Sequence, residues 1–253
     1  MSNSHIFRKR WGQNFLIDEN ILKKISLSVD PQFDNNIIEI GPGDGALTQI
    51  LLPQVNDMLS IEIDPLLVKS LNNKESLKKL KVLNCDILKT DIADLKIDNP
   101  VRVIGNIPYN ITSQIIFWLI EQLDYWEDAF IMVQKEVAQR LTAGVNTKQY
   151  GRLTVVVQAY LDVKYCFSVS PNVFIPKPKV ESAFIHFTKK PVPLIKDEKY
   201  IKFNNLVRTA FNQRRKMLRN SLKSWDISEK VKEQIDFSRR PESLTIKEFC
   251  LIV

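Results

Sequence analysis

The sequence predicts an α/β protein in which a mostly parallel sheet carries helices on both faces, followed by a small helical region. Two observations predict this class. Seven short apolar runs rich in β-branched residues alternate with helix-prone stretches up to about residue 187. After residue 188 the alternation stops, and the chain becomes helical in pattern and strongly basic. Strands that alternate with helices are typical of parallel sheets, because each helix crosses over one face of the sheet.

The predicted strands are bounded by polar residues, glycines or prolines. They are residues 36–41, 58–64, 81–86, 101–106, 129–134, 163–169 and 182–187. The predicted helices between them fall within residues 46–54, 65–73, 112–123, 135–143 and 150–161. The last two strands are joined by a proline-rich segment that leaves no room for a helix, so we expect an antiparallel hairpin at the sheet edge. The result is a seven-stranded mixed sheet.

Residues 189–200 have the composition of a linker and divide the chain into two predicted domains, residues 1–188 and 189–253. Beyond the linker, apolar residues recur at helical spacing: Phe203, Leu206, Val207, Ala210 and Phe211, followed by Met217, Leu218 and Leu222. This period predicts a small helical second domain.

The positive charge is concentrated in the second predicted domain. Residues 189–253 hold 16 basic and 8 acidic side chains, whereas residues 1–188 hold 20 and 21. One stretch contains no acid at all: its cations are Lys202, Arg208, Arg214, Arg215, Lys216, Arg219 and Lys223. A dense cationic face favours a polyanion such as RNA, DNA or an anionic membrane. A solvated helix face is the alternative.

Composition excludes several classes of protein. No apolar run approaches the roughly 18–20 residues of a membrane span, and the basic N-terminus lacks the apolar core of a secretory signal. Cys85, Cys166 and Cys250 are far apart and odd in number, which argues against disulfides or a zinc site and fits a reducing cytoplasm. His5 and His186 are the only histidines, so the chain has few of the side chains that a metal site or a Ser-His-Asp triad requires. We expect a cytoplasmic protein without a metal.

A glycine-rich turn follows the first predicted strand in EIGPGDGAL, residues 39–47. Gly41, Gly43 and Gly45 permit a tight turn and close approach of a ligand to the start of a helix. Gly41, Gly43 and Ala46 also match the looser dinucleotide pattern GxGxxA. A turn that only closes the chain is the third possibility.

Carboxylates around this turn favour one ligand over the others. Glu39 and Asp44 flank the loop, and Glu62, Asp64 and Asp86 stand at the ends of the next two strands. So many acids would repel a diphosphate, but they suit the amino group and sulfonium of S-adenosylmethionine. Glu62 lies where an acid accepts hydrogen bonds from ribose hydroxyls, and Asp86 can face the adenine amine. Solvated acids at strand ends are the alternative.

The fourth predicted strand ends in the motif NIPY, residues 106–109. An amine conjugated to a purine is a poor nucleophile, because its lone pair is delocalised into the ring. The side-chain oxygen of Asn106 and the carbonyl of Pro108 could accept its hydrogens and aim the lone pair at a methyl group. Tyr109 could stack on a base flipped out of its helix. A proline turn with a core tyrosine is the alternative.

A second aromatic residue fits the same chemistry. Phe174 stands in a proline-punctuated loop with Lys177 and Lys179. The phenyl ring could close the other face of the base while the lysines approach phosphate. A strand-edge loop with a packed phenylalanine is the alternative.

Taken together, these motifs resemble the small-subunit ribosomal RNA adenine dimethyltransferases of the KsgA type. The resemblance covers nearly the whole chain in order. It rests on FRKRWGQNFLID (7–18), EIGPGDGALT, IEID, NCDIL, GNIPYNIT, VQKEVAQRL, YGRLTVVVQ, VFIPKPKVESA and VRTAFNQRRKMLRNSL (207–222). Ile107 departs mildly from the family, in which leucine is common at this position of the motif.

The resemblance implies a Rossmann-like, class I S-adenosylmethionine-dependent methyltransferase domain and a C-terminal domain that binds rRNA. It implies dimethylation of N6 on two adjacent adenines near the 3′ end of 16S rRNA, in the precursor of the 30S subunit. It assigns cofactor contacts to Asn14, Leu16, Gly41, Glu62, Asp86 and Asn106. It alone makes the QNFL segment a lid whose Gln13 and Asn14 approach the methionine part of the cofactor. We expect a monomer.

Four other functions remain to be weighed. An Erm-type 23S rRNA adenine methyltransferase shares QNF, the glycine loop and NIPY, but the C-terminal AFNQRRKMLRNSL is similar to the KsgA type. An N6-adenine DNA methyltransferase fits the basic module less well. A non-catalytic RNA-binding assembly factor would not need the intact acidic and NIPY sites. The carboxylate-rich strand ends argue against a dinucleotide-dependent oxidoreductase.

Overall fold

The structure, a computed structural model, describes residues 13–253. It divides the chain into two compact units. The first contains the chain up to Ala138 together with residues Lys164–Thr188, and the second contains residues Gln139–Val163 and Lys189–Val253. Residues 7–12 of the first family motif lie outside the described residues.

Within residues 13–253, nine strands form two sheets. They are β1 (Phe15–Leu16), β2 (Asn36–Ile40), β3 (Asp57–Glu62), β4 (Lys81–Asn84), β5 (Val101–Asn106), β6 (Trp126–Gln134), β7 (Leu161–Val169), β8 (Phe174–Ile175) and β9 (Ser182–Lys189). The main sheet has seven strands in the order β4-β3-β2-β5-β6-β9-β7. Strands β1 and β8 pair separately and antiparallel.

The main sheet is mixed, as the sequence predicts. Strand β2 pairs in parallel with both β3 and β5, β3 with β4, and β5 with β6. Strand β9 runs antiparallel to β6, and β7 lies beside it at the edge. Strand order reverses around β2, so the carboxyl ends of β2 and β5 open a crevice of the kind in which α/β proteins bind ligands.

Five helices lie beside the strands in this part of the chain. They are α1 (Glu19–Val29), α2 (Ala46–Leu51), α3 (Pro65–Asn72), α4 (Thr112–Glu121) and α5 (Lys135–Leu141). Of these, α2, α3 and α4 stand between parallel strands. Helix α1 was not predicted, although its signal is present. Asp18 caps it by accepting a hydrogen bond from the amide of Ile21 at 2.9 Å, and Leu22, Ile25 and Val29 form its buried stripe.

The central strands are buried on both faces, which explains their continuous apolar runs. Ile37 and Ile38 of β2, and Val103 and Ile104 of β5, are fully inaccessible to solvent. A cluster built on this layer includes Leu22 and Ile25 of α1 and Leu51 of α2. Helix α1 therefore packs on the same layer that carries the crevice.

The second unit is helical. It contains α6 (Arg152–Tyr160), α7 (Tyr200–Asn212), α8 (Leu218–Ser221), α9 (Glu229–Gln234) and α10 (Ile246–Leu251). The predicted periodicity of α7 is correct, since Phe203, Leu206, Val207 and Ala210 are all fully buried. The two short helices α9 and α10 were not predicted from the sequence.

The second unit differs in extent from the predicted domain of residues 189–253. Residues 139–163, expected in the first domain, group with it instead. Helix α6 contacts α7 and α10, and the Tyr150 hydroxyl donates to the carbonyl of Leu244 at 2.8 Å. Six of its nine residues are buried, so the helix needs partners beyond its own segment.

Candidate active site

One cavity in the first unit brings together the residues predicted to hold a cofactor. It opens at the carboxyl ends of β2, β3 and β5, where the glycine turn and NIPY begin. The predicted residues that line it are Gln13, Asn14, Leu16, Glu39, Gly41, Gly43, Asp44, Glu62, Asp86, Asn106 and Pro108. The sheet topology thus brings together residues that lie up to about 90 positions apart in the sequence.

The glycine turn adopts a backbone that other residues rarely take. Gly41 and Gly43 have φ angles of +70° and +60°. A Cβ on Gly43 would lie 3.0 Å from the ring of Phe15, so a larger side chain would push against the segment across the cavity. The turn therefore requires glycine both for its conformation and for the width of the crevice.

Glu62 ends β3 with its carboxylate held by backbone. Its Oε1 accepts from the amide of Asp64 at 2.9 Å, and its Oε2 accepts from the amide of Gly43 at 3.4 Å. Burial raises the pKa of this carboxyl, and the two backbone hydrogen bonds partly oppose the rise. Each oxygen keeps a further lone pair, so the carboxylate can still accept two hydrogen bonds from a ligand.

Glu39 is the most enclosed acid of the cavity and had no specific role in the sequence prediction. Its Oε2 accepts hydrogen bonds from Thr48 at 2.6 Å and Ser60 at 3.0 Å. Only 2% of the residue is exposed, and burial raises its pKa to about 7 despite both hydroxyl donors. Its position inside β2, two residues before the turn, gave no signal for such a shift.

Asp86 follows β4 and caps the short 3₁₀ helix Ile87–Lys89. Its Oδ1 accepts from the amide of Leu88 at 3.1 Å. This bond fixes the carboxylate at the cavity wall and leaves the second oxygen for a donor such as an exocyclic amine. Cys85 and Ile87 beside it also line the cavity, and sequence reasoning missed both.

Asn106 is oriented by the QNFL segment. Its Nδ2 donates to the carbonyl of Asn14 at 3.0 Å. Because a carbonyl accepts only from the amide nitrogen, this bond decides which end of the Asn106 amide is the oxygen. No described residue donates a hydrogen bond to Oδ1, so Oδ1 is an available acceptor. Pro108 lines the same cavity.

Tyr109 lies next to Pro108, half-buried and tied at its tip. Its hydroxyl shares a hydrogen bond of 2.5 Å with the hydroxyl of Ser182, which is fully buried at the start of β9. Burial raises the pKa of Tyr109, and the Ser182 bond partly opposes this. The phenol is therefore neutral and its ring has one fixed orientation. Sequence reasoning did not identify Ser182.

Phe174 is placed differently from the expectation. It is 2% exposed, belongs to the apolar cluster of the first unit, and does not line the cavity. Its strand β8 pairs with β1, where Leu16 opposes Phe174 and Phe15 opposes Ile175. The structure thus gives Phe174 a packing role beneath the QNFL segment, and its contact with a base stays a prediction.

The predicted RNA-binding residues fall into two groups. In the first unit Lys177 and Lys179 are exposed on the loop between β8 and β9. In the second unit Arg215 and Arg219 are exposed, but Arg214 is engaged within the protein. Its guanidinium donates to the carbonyls of Lys148 and Thr147 at 2.8 and 3.0 Å. Arg214 therefore stabilises a turn, which weakens its assignment to RNA.

Comparison with known proteins adds the family. Residues 4–253 match the model of the family described as ribosomal RNA adenine dimethylase. The chain belongs to this family. The family predicted from the sequence is thereby confirmed, together with its enzyme class, an rRNA adenine methyltransferase.

Relatives in the family match along nearly their full length. The ribosomal RNA small subunit methyltransferase A of Prosthecochloris aestuarii is 42% identical over 243 residues, covering 96% of this chain and 91% of the relative. The protein of the same name from Flavobacterium johnsoniae is 42% identical over 246 residues, covering 97% and 94%.

Two solved structures share the fold of this family member. A dimethyladenosine transferase from Plasmodium falciparum has a TM-score of 0.80 at 28% identity, covering 94% of this chain and 95% of that one. The 23S rRNA methyltransferase ErmE has a TM-score of 0.72 at 27% identity, covering 94% and 98%. The predicted class of fold, a Rossmann-like methyltransferase with a mixed seven-stranded sheet, is confirmed.

Two further observations concern membranes and metals. Among residues 13–253, every helix is too short or too polar to cross a bilayer. In the same part of the chain, no group of three or more histidine, cysteine or acidic side chains is arranged to hold a metal ion.

Proposed function

We propose that this protein dimethylates N6 of two adjacent adenines near the 3′ end of 16S rRNA, with S-adenosylmethionine as the methyl donor. One observation carries the proposal: Asn106 and Pro108 meet the acids Glu39, Glu62 and Asp86 at the wall of one cavity. Family membership supports it, since the relatives are named for the small subunit.

The residues of the cavity fit S-adenosylmethionine. The carboxylates of the cavity attract a cationic ligand and would repel a diphosphate. Glu62 has lone pairs left for two ribose hydroxyls, and Asp86 has an oxygen left for the adenine amine. The apolar lining residues Leu16, Ile63 and Ile87 suit a purine. When bound, the cofactor supplies an electrophilic methyl group on a sulfonium.

Asn106 and Pro108 supply the two acceptors of the reaction. Asn14 sets the amide of Asn106 so that Oδ1 is its available acceptor. The carbonyl of Pro108 accepts a hydrogen bond from the amide of Ile111 at 3.2 Å, which fixes its direction and leaves one lone pair for the amine. Two acceptors on the hydrogens of N6 hold the amine and favour a pyramidal nitrogen. The site contributes position and electrostatics, without a strong base.

Tyr109 provides an aromatic face for the target base. The hydrogen bond to the buried Ser182 restrains the ring, so little side-chain entropy remains to be lost when a base stacks on it. A base reaches this face only when it is unstacked from its own helix.

The proposal extends to the partner and its setting. Lys177, Lys179, Arg215 and Arg219 are exposed cations that would neutralise phosphates of the rRNA. We propose the precursor of the 30S subunit as the substrate particle, a monomer as the working form, and the cytoplasm as the compartment. The concentration of positive charge in residues 189–253 supports RNA as the partner.

The Erm-type activity remains the second candidate, because the ErmE structure matches along 94% of this chain. Tritiated methyl transfer to 30S particles from a strain that lacks this modification separates the two. We expect N6,N6-dimethyladenosine at the two adjacent adenines of 16S rRNA after nucleoside analysis. Label confined to 23S rRNA, when 50S particles are supplied in parallel, would overturn the proposal in favour of the Erm-type activity.

A further inference from the structure

A second concave site lies in the second unit, and the reaction does not use it. Its floor is formed by the buried Leu222, Ile227 and Ile235. Trp225 and Phe237 form half-buried aromatic walls. We call this the C-terminal groove.

The walls of the C-terminal groove are fixed by backbone hydrogen bonds. The amide of Arg219 on α8 donates to the carbonyl of Phe237 at 3.0 Å. The amide of Trp225 donates to the carbonyl of Leu222 at 2.9 Å. These bonds fix the backbone at both aromatic residues of the groove.

The rim of the groove is cationic. Arg219, Lys223 and Lys232 stand around it, against a single acid, Asp236. Lys232 is paired with the exposed Glu229 at 2.7 Å, a contact that solvent weakens. Lys223 is exposed and makes no ion pair with a described residue. The rim thus offers a net positive charge beside aromatic faces.

The Asp236 carboxylate and the Trp225 indole make the groove more specific than a patch of lysines. Asp236 accepts from the amide of Ser238 at 2.8 Å and keeps further lone pairs. A carboxylate at the rim would repel an isolated phosphate, but it can accept from a ribose hydroxyl or a base amino group. No described residue accepts a hydrogen bond from the Trp225 indole nitrogen. These groups suit a nucleoside with its phosphate.

We propose that the C-terminal groove binds one unpaired nucleotide of the rRNA substrate, separate from the methylated adenines. The base stacks on Trp225 or Phe237, and Lys223 and Arg219 neutralise the adjoining phosphates. The inference rests on the proposed function, because it takes the occupant to be the rRNA. It adds a subsite that contributes to affinity and not to methyl transfer.

Two pairs of variants test this proposal. Trp225→Leu removes the aromatic face but keeps an apolar side chain, and Trp225→Phe restores an aromatic face. Lys223→Glu reverses a charge at the rim, and Lys230→Glu makes the same change at an exposed lysine of α9 that does not line the groove. Dissociation constants are measured for the full chain with unmethylated 30S particles and with protein-free 16S rRNA, over a range of KCl concentrations.

We expect Trp225→Leu to weaken binding roughly 5- to 100-fold, the range for one stacked base, with an unchanged salt slope. Trp225→Phe should stay within about threefold of the parent, as the stacking face is kept. Lys223→Glu should weaken binding and flatten the salt slope more than Lys230→Glu does. At saturating particles, the methyl-transfer rate of every variant should equal that of the parent.

Three results would overturn the subsite. One is equal affinity for Trp225→Leu and Trp225→Phe. Another is equal effects of Lys223→Glu and Lys230→Glu, which tests the groove even if Trp225→Leu does not fold. The third is a Trp225 effect seen with particles but not with protein-free rRNA, which would indicate a ribosomal protein in the groove. Absence of methyl transfer by the parent protein would instead overturn the proposed function.

Discussion

Glu39 shows how a single buried acid shapes the cavity. The unfolded chain ionises at a carboxyl pKa of about 4.5, whereas burial raises the folded value to about 7. The folded state therefore holds the proton more tightly. The stability that the protonated Glu39 carboxyl contributes is complete below pH 4.5 and is lost as the pH rises towards 7.

We predict that Glu39→Gln removes this pH dependence. The amide oxygen can still accept from Thr48 and Ser60, but no charge has to be buried. Relative to the parent, the free energy of unfolding should rise by roughly 3 kcal/mol between pH 4.5 and pH 8 in protein without cofactor. Urea unfolding at several pH values measures it. The exposed Glu121→Gln is the control, and equal pH profiles for both variants would contradict the prediction.

At the residue scale, the sequence was informative where a side chain ends a strand. Glu62, Asp86 and Asn106 follow predictable strands, so the parallel topology places them together. Ser182 and Glu39 gave no such signal, since their roles depend on side chains that the fold brings to them from other elements. The packing of Phe174 depends on the pairing of β1 with β8. Strands of two residues are too short to be predicted from the sequence pattern.

At the scale of elements, a charge cluster joins three neighbouring strands. Arg102 of β5 donates from Nε and Nη2 to the two oxygens of Asp128 on β6, at 2.8 and 2.9 Å. His186 of β9 contacts the same carboxylate at 2.9 Å. Burial alone would raise the pKa of Asp128, but hydrogen bonds from Arg102 and His186 outweigh it and hold the pKa below its usual value.

We predict that Arg102→Leu destabilises the protein by about 3 kcal/mol near neutral pH, because Asp128 loses its main partner in a buried site. The deficit should shrink as the pH falls through the lowered pKa of Asp128, where the pair is lost in the parent too. Denaturant unfolding is the measurement. Lys81→Leu removes an exposed cross-strand pair with Asp57 and should cost less than about 1 kcal/mol. Equal losses would show that burial does not decide the contribution.

Element boundaries reveal a further limit of sequence reasoning. The predicted strands and the helices α2 to α7 lie close to their observed positions, since their hydrophobic periods are clear. Helix α1 was not predicted, although Asp18 caps it and its buried residues recur at helical spacing. The helices α9 and α10 are six residues each, too short for periodicity to distinguish them from loops.

At the scale of the whole molecule, composition located the basic region but not the full extent of the second unit. The excess charge of residues 189–253 predicted where the basic region starts. Residues 139–163 group with it because the apolar α6 packs on α7 and α10, a long-range contact that composition does not encode.

The central claim is that the Asn106 amide aims the target amine at the methyl donor. Single-turnover methyl transfer to unmethylated 30S particles by Asn106→Ala tests it, with Asn110→Ala, an exposed asparagine of the same turn, as the control. We predict a rate reduced about 100-fold or more, while cofactor affinity falls less than about tenfold through the lost bond to Asn14. A rate close to that of Asn110→Ala would contradict the account.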